Sequence, residues 1–177
     1  MELESKVLSK EILSILYESG KTLSTAESCT SGRVAETITC MPGSSAYFAG
    51  GIVAYSEAAK ESLLNVDHDV LEEQTAVCEE VARQMVVGAC NALSTDFAVA
   101  TTGLAGPGGG TPEIPVGTIW VACGSKDDVR TFKLTEDEGR DVNVARATSK
   151  ALQLLLEFLR EKFPQPDPSE APAPEAK

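Results

Sequence analysis

The sequence predicts an α/β fold, a three-layer α/β/α sandwich with a mixed sheet in a single domain, and three observations carry that expectation. Helical and strand-like hydrophobic patterns alternate through the first hundred residues, which calls for crossover connections and for helices on both faces of the sheet. Further on, two strand-like runs flank Gly124-Ser125-Lys126-Asp127-Asp128, a hairpin that makes at least one strand pair antiparallel. The length of 177 residues, 42% of them hydrophobic, suffices for one core and is short for two.

The chain opens with a helix: Leu8, Ile12 and Ile15 recur at helical spacing, Val7, Leu13 and Leu16 widen the stripe, and Gly20 stands as its C-terminal cap. Thr22 to Ala26 reads as a short strand, and Thr30 to Thr39 as a helix stopped by Met41-Pro42-Gly43. Ser44 to Phe48 is a single helical turn or a loop, and Gly50 to Tyr55 a second, buried strand. Ser56 is placed to cap a helix from Glu57 to Leu64. A polar turn around His68 and a short helical piece near Val70 lead to a longer helix, Glu79 to Leu93, with Cys78 at its cap position. Phe97 to Thr101 is the third strand, and a Gly/Pro-rich loop runs from Gly103 to Val116. Gly117 to Cys123 and Val129 to Leu134 form the hairpin, and the last helix, from Asp141 to Phe163, turns Val144, Ala147, Ala151, Leu154, Leu155 and Phe158 inward. The domain is thus expected over residues 1–163. The tail 164–177 is Pro, Ala and acid with nothing apolar larger than Ala, cannot offset its own ordering entropy, and is expected to be disordered.

Composition excludes several classes of function. A formal charge of −12 argues against a nucleic-acid surface or an anionic membrane as partner, but not against a small phosphorylated ligand, which needs only a few local donors. No apolar run approaches a membrane span and the N-terminus lacks the order of a signal peptide, so a cytoplasmic protein is expected. Cys29, Cys40, Cys78, Cys90 and Cys123 are odd in number and form no Cys-x-x-Cys pair, which suggests neither a disulfide framework nor a zinc site. His68, the single histidine, lies among polar neighbours that read as a solvated turn, so a His-based triad or metal centre is not expected. No metal or cofactor is called for.

Three stretches suit chemistry: Ser24 to Gly32, where a short β-branched run breaks into hydroxyl and glycine residues that can start a helix; Tyr55 to Lys60 after the second strand; and Thr101 to Gly110 after the third. A strand end aims side chains into a crevice, and the N–H groups of the following helix favour negative charge at the same place. The glycine loop lacks both the Gly-Lys-Ser/Thr ending of a phosphate-binding P-loop and the Gly-x-Gly-x-x-Gly spacing, and a structural turn explains it as well as a ligand cradle does. Ser28 alone reads as an ordinary cap and Lys60 alone as a solvated helix residue. Together, in a chain without a usable histidine, they permit a serine nucleophile whose proton is taken by a lysine kept neutral by partial burial.

Ala26-Glu27-Ser28-Cys29-Thr30, Gly43-Ser44-Ser45, Tyr55-Ser56-x-x-Ala59-Lys60, Gly103-Leu104-Ala105-Gly106-Pro107-Gly108-Gly109, Pro115-Val116-Gly117-Thr118 and Arg146, in that order, closely resemble the CinA C-terminal domain family from about Ser5 to Lys162. The resemblance implies a nicotinamide-nucleotide amidase, hydrolysing the carboxamide of nicotinamide mononucleotide to nicotinic acid mononucleotide and ammonia, here in a stand-alone form. It implies Ser28 as nucleophile and Lys60 as general base, with backbone N–H groups at Cys29 and Thr30 as oxyanion donors. Tyr55 then orients the lysine or stacks on the pyridinium, and Ser45 is a second hydroxyl that relays the proton or serves as nucleophile instead. Thr102, the backbone of Gly103, Ala105, Gly106 and Gly108, and Arg146 are left for ribose and phosphate. A homo-oligomer is implied by the resemblance alone. Two departures stand out: Thr30-Ser31-Gly32 replaces the family's Thr-Gly-Gly, and Cys78 takes the place of a capping serine. The rival expectation is a non-catalytic pyridine-nucleotide-binding or competence- and damage-associated module, which has no physical reason to keep Ser28 and Lys60 paired.

Overall fold

The computed structural model describes residues 3–164, so the expected disorder of the tail from residue 165 onward lies outside the described residues. The elements are α1 (Leu3–Ser19), β1 (Leu23–Glu27), α2 (Arg33–Thr39), a 3₁₀ turn (Ser44–Ala46), β2 (Phe48–Val53), α3 (Glu57–Leu64), α4 (His68–Gln74), α5 (Glu79–Ala92), β3 (Phe97–Gly103), β4 (Ile119–Gly124), β5 (Val129–Leu134) and α6 (Arg140–Lys162). They form the mixed α/β/α sandwich that the alternating pattern predicts.

The five strands lie in the order β2-β1-β3-β4-β5. β1 runs parallel to β2 and β3, whereas β4 is antiparallel to β3 and β5 to β4. Strand periodicity sorts side chains between the faces. Phe97, Val99, Ile119, Val121 and Cys123 join a core with α1, α2 and α6 residues such as Ile12, Leu16, Val34, Leu155 and Phe158. Ala98, Ala100 and Ala122 point the other way, into a second core with Leu64, Leu71, Val81 and Met85. Small side chains on that face let α5 lie close to the sheet.

Several boundaries differ from the expectation for identifiable reasons. β2 is an edge strand whose residues alternate between half-buried and exposed, not a buried one, and it starts and ends two residues earlier than expected. β4 begins at Ile119, because Gly117 takes a φ of 90° and Gly117 and Thr118 close turns with Leu104 and Pro115. α2 begins only at Arg33, since Ser31 and Gly32 adopt φ of 53° and 95° and form a turn instead. The caps follow expectation: Ser56 Oγ accepts from Ala59 N–H, Cys78 Sγ from Val81 N–H, and Gly20 stands just beyond α1 at a φ of 64°. His68 opens α4 on the surface and pairs with Glu61 at 3.0 Å.

Gly88 shows how tightly the second core closes. A Cβ there would lie 2.0 Å from the Leu64 carbonyl oxygen and 2.8 Å from Leu64 Cα, so α3 crosses α5 with backbone against backbone. Gly88→Ala improves helix propensity by about 1 kcal/mol, yet the overlap forces the α3 backbone away, at about 1–3 kcal/mol. Thermal unfolding should therefore show a lower melting temperature for Gly88→Ala; an unchanged or raised one would mean that the helices separate freely.

Candidate active site

The register puts the carboxyl ends of the three parallel strands side by side, with Glu27 opposite both Val53 and Thr101. Pairing continues one residue further on each side, as Ser28 N–H donates to Thr101 O and Ala54 N–H to Glu27 O. Open α/β sheets bind ligands at such strand ends, and all three chemistry-bearing stretches converge there.

The turn after β1 is held by a carboxylate for which the sequence reading had no role. Glu27, 1% exposed, accepts from the Thr30 hydroxyl at 2.6 Å and from the backbone N–H of Gly32, Val34 and Ala35 at 2.9, 3.1 and 2.8 Å. It thus caps α2 from six residues before the helix, in a place where Gly32 offers no side chain. The amino end of α2 is thereby taken by the protein's own carboxylate and is closed to a ligand anion. Thr30 is also linked to the Thr101 hydroxyl at 2.7 Å, which ties the turn to β3. The Cys29 and Thr30 N–H groups take no part in the hydrogen bonds described for the turn.

Lys60, on α3, points under this turn. Its side chain is 1% exposed, and Nζ stands 3.0 Å from Ser28 Oγ and donates to Ala54 O at 2.9 Å. No carboxylate pairs with it among the described residues. Burial lowers its pKa below the usual 10.5, the Glu57 carboxylate opposing the shift only in part. The Cys29 thiol is pushed the other way by burial, up to about 12, so it stays protonated and is no rival nucleophile at neutral pH.

A pocket of about 290 Å³ opens onto this pair. Ser28, Cys29, Tyr55, Lys60, Thr102, Gly103, Ala105, Gly106 and Gly108, all singled out from sequence, line it, along with Glu57, Val77 and Arg140, which were not. Thr102 does not present a free hydroxyl: Oγ1 donates to Ala76 O at 2.7 Å, pinning the segment before α5 against β3. Tyr55 is 60% exposed and is not among the hydrogen-bond partners of Lys60; its hydroxyl accepts from Arg140, 3.4 Å away. Thr30 lies beneath the turn, fully buried.

Two candidates stand elsewhere. Arg146 projects away from the pocket and pairs with the Glu136 carboxylate at 2.7 Å and its carbonyl at 3.2 Å. Ser45 lies exposed in the 3₁₀ turn before β2, at the opposite end of the sheet; β1, five residues long, separates it from Ser28 by about 16 Å of strand. Arg140, whose signal in the sequence was its position at the first turn of a long helix, takes the place at the pocket that Arg146 was expected to fill. It donates to Gly106 O at 2.7 Å. Among the described residues no group of three or more His, Cys, Asp or Glu is placed to hold a metal ion, and no helix is long and apolar enough to cross a membrane.

Comparison with known proteins places this arrangement in company. The model of the CinA C-terminal domain matches residues 5–159. A CinA-like protein of Parasynechococcus marenigrum is 48% identical over 155 residues, covering 84% of this chain and 37% of its own length, and one of Amoebophilus asiaticus is 43% identical over 154 residues, 86% and 37%. The chain thus spans about a third of the length of the curated relatives it matches. Among solved structures, a competence/damage-inducible protein of Agrobacterium tumefaciens superposes with a TM-score of 0.85 at 36% identity, covering 89% of this chain and 98% of that one. A competence-damaged protein (CinA) superfamily member of Escherichia coli gives 0.84 at 31%, covering 89% and 93%.

Removing the Glu27 carboxylate leaves three backbone donors, one buried and two partly buried, without an acceptor, each worth about 1 kcal/mol. Glu27→Ala should lower the unfolding free energy in urea by about 3 kcal/mol, while Glu27→Gln, which keeps one acceptor oxygen, should lose less. Equal and small losses would show that the turn holds itself.

Proposed function

The chain belongs to the CinA C-terminal domain family, and on that premise we propose that it is a nicotinamide-nucleotide amidase, converting nicotinamide mononucleotide to nicotinic acid mononucleotide and ammonia by a serine–lysine mechanism. The observation that carries the reading is the buried Lys60 amine, unpaired with any described carboxylate, 3.0 Å from Ser28 Oγ. An ammonium in that position is desolvated without a counter-charge, so the environment favours the neutral amine, and a neutral amine beside a hydroxyl is a general base.

The steps follow from the neighbours. Neutral Lys60 takes the Ser28 proton as Oγ attacks the carboxamide carbon, with the Cys29 and Thr30 N–H groups, unused in the turn, as donors to the oxyanion that develops. Lys60 then hands its proton to the departing nitrogen, which leaves as ammonia and gives an ester on Ser28. Water, deprotonated by Lys60, attacks the ester carbon, and the proton returns to Ser28 Oγ as the acid is released. Ala54 O, accepting from Nζ, keeps the amine aimed at Ser28 throughout. Tyr55 and Glu57 at the mouth supply an aromatic face and a negative charge that suit a cationic pyridinium ring.

Ser28→Ala and Lys60→Ala should each lower kcat for ammonia release by several orders of magnitude, and the double variant should be little worse than either, since the two act as a unit. Normal turnover in Lys60→Ala would overturn the mechanism. The pH dependence has a definite sign. Activity needs the neutral amine, so kcat should rise with pH and level off below the ordinary lysine value of 10.5, toward which an exposed lysine would move it. Stability should rise where kcat has levelled off, from the lowered pKa to about 10.5, because there the unfolded chain still binds the proton that the folded one has released. Turnover should also survive EDTA; loss on chelation with recovery on adding zinc would show a metal-dependent reaction.

A further inference from the structure

Arginine pairing across the chain separates two guanidinium groups from the rest. Of the six arginines, Arg83, Arg130, Arg146 and Arg160 are each paired with a carboxylate, Glu79, Glu161, Glu136 and Glu11 respectively. Arg33 and Arg140 have no carboxylate partner among the described residues, in a chain carrying 27 acidic side chains and a net charge of −12. These two, distant in sequence, face one cavity of about 170 Å³ together with Cys29, Thr30, Ser31, Asp141 and Val144. That cavity shares Cys29 and Arg140 with the pocket of Ser28 and Lys60, so the two spaces adjoin.

The fold sets Arg140 firmly and leaves its charge unspent. Its acceptors are Gly106 O and the Tyr55 hydroxyl, both neutral, which fix the guanidinium plane without cancelling it. Arg33 borders the groove containing Glu36 as well, yet makes no ion pair with it. Asp141 on the same wall offsets one of the two charges and favours a ligand group that engages both arginines by direct hydrogen bonds. A doubly charged tetrahedral oxyanion does this, since guanidinium forks match it bidentately.

We propose that Arg33 and Arg140 bind the phosphomonoester of the substrate in this second cavity, with the scissile carboxamide in the adjoining pocket at Ser28. The assignment rests on the amidase reading for the identity of the substrate, and it gives the phosphate to these two arginines instead of Arg146. It also gives the family departure a consequence: Ser31, at a φ of 53°, lines the cavity with a side chain where a glycine has none, its hydroxyl donating to Ser28 O at 3.4 Å.

Two measurements on the full chain decide the matter separately. In the first, inorganic phosphate is titrated while the arginine Nε–Hε resonances are followed by NMR; Arg33 and Arg140 should shift together and saturably, and Arg146 should not. No saturable shift at the pair, or an equal one at Arg146, overturns the subsite. In the second, kcat/KM is compared for nicotinamide mononucleotide and nicotinamide riboside. Arg33→Gln and Arg140→Gln should each reduce the preference for the nucleotide at least tenfold, mainly through KM, with melting temperatures confirming the fold, whereas Arg146→Gln should keep it. An unchanged preference in both variants overturns the assignment even if free phosphate binds. If the unaltered protein releases ammonia from neither compound, the amidase reading falls and with it the phosphomonoester assignment, while the titration still decides the anion subsite.

Discussion

The buried carboxylate of Glu27 is the interaction on which the rest of the site depends. It sits at the end of β1, accepts from Thr30 and from three backbone N–H groups around the start of α2, and so converts a flexible Ser-Cys-Thr-Ser-Gly run into one fixed turn. A side chain that is 1% exposed and fully hydrogen-bonded cannot move without stranding its donors. Ser28 inherits that rigidity, because its own N–H is bonded to β3 and its neighbours are held by Glu27.

The second constraint is that Lys60 has no counter-ion among the described residues. A helix residue exposed to water would serve as well for folding α3, yet the amine is drawn inward to Ser28 and Ala54 and meets no described carboxylate. Burying an amine this way is unfavourable while it is charged, and the same unfavourable term favours its neutral, basic form. Glu57 lies close enough to oppose the shift but at the mouth of the pocket, where water screens it.

Charge is divided across the site by the same logic. One carboxylate, Glu27, neutralises the amino end of α2; two arginines, Arg33 and Arg140, remain unpaired beside it. In the proposed reaction an anionic ligand is drawn to the guanidinium groups and away from the helix end, while the reacting carbon is left to Ser28 and Lys60.

Sequence by itself determined the layers, the element order and the three stretches that suit chemistry, because hydrophobic period and strand–helix alternation depend on neighbours within a few turns of chain. It also indicated Ser28 and Lys60, each beside a strand end whose geometry follows from local pattern. Tertiary structure decided the rest. β2 is an edge strand because no further strand lies beyond it, a fact about the whole sheet. Ser45 and Ser28 are both serines in turns next to a strand, and only the direction of β1 puts them at opposite ends. Arg146 follows Arg140 by six residues, about 240° further around a helix of 3.6 residues per turn, so one faces the pocket and the other faces Glu136. A composition rich in acids says that arginines will find partners; which ones are left without a carboxylate, and for what ligand, depends on distances that only the folded chain brings within reach.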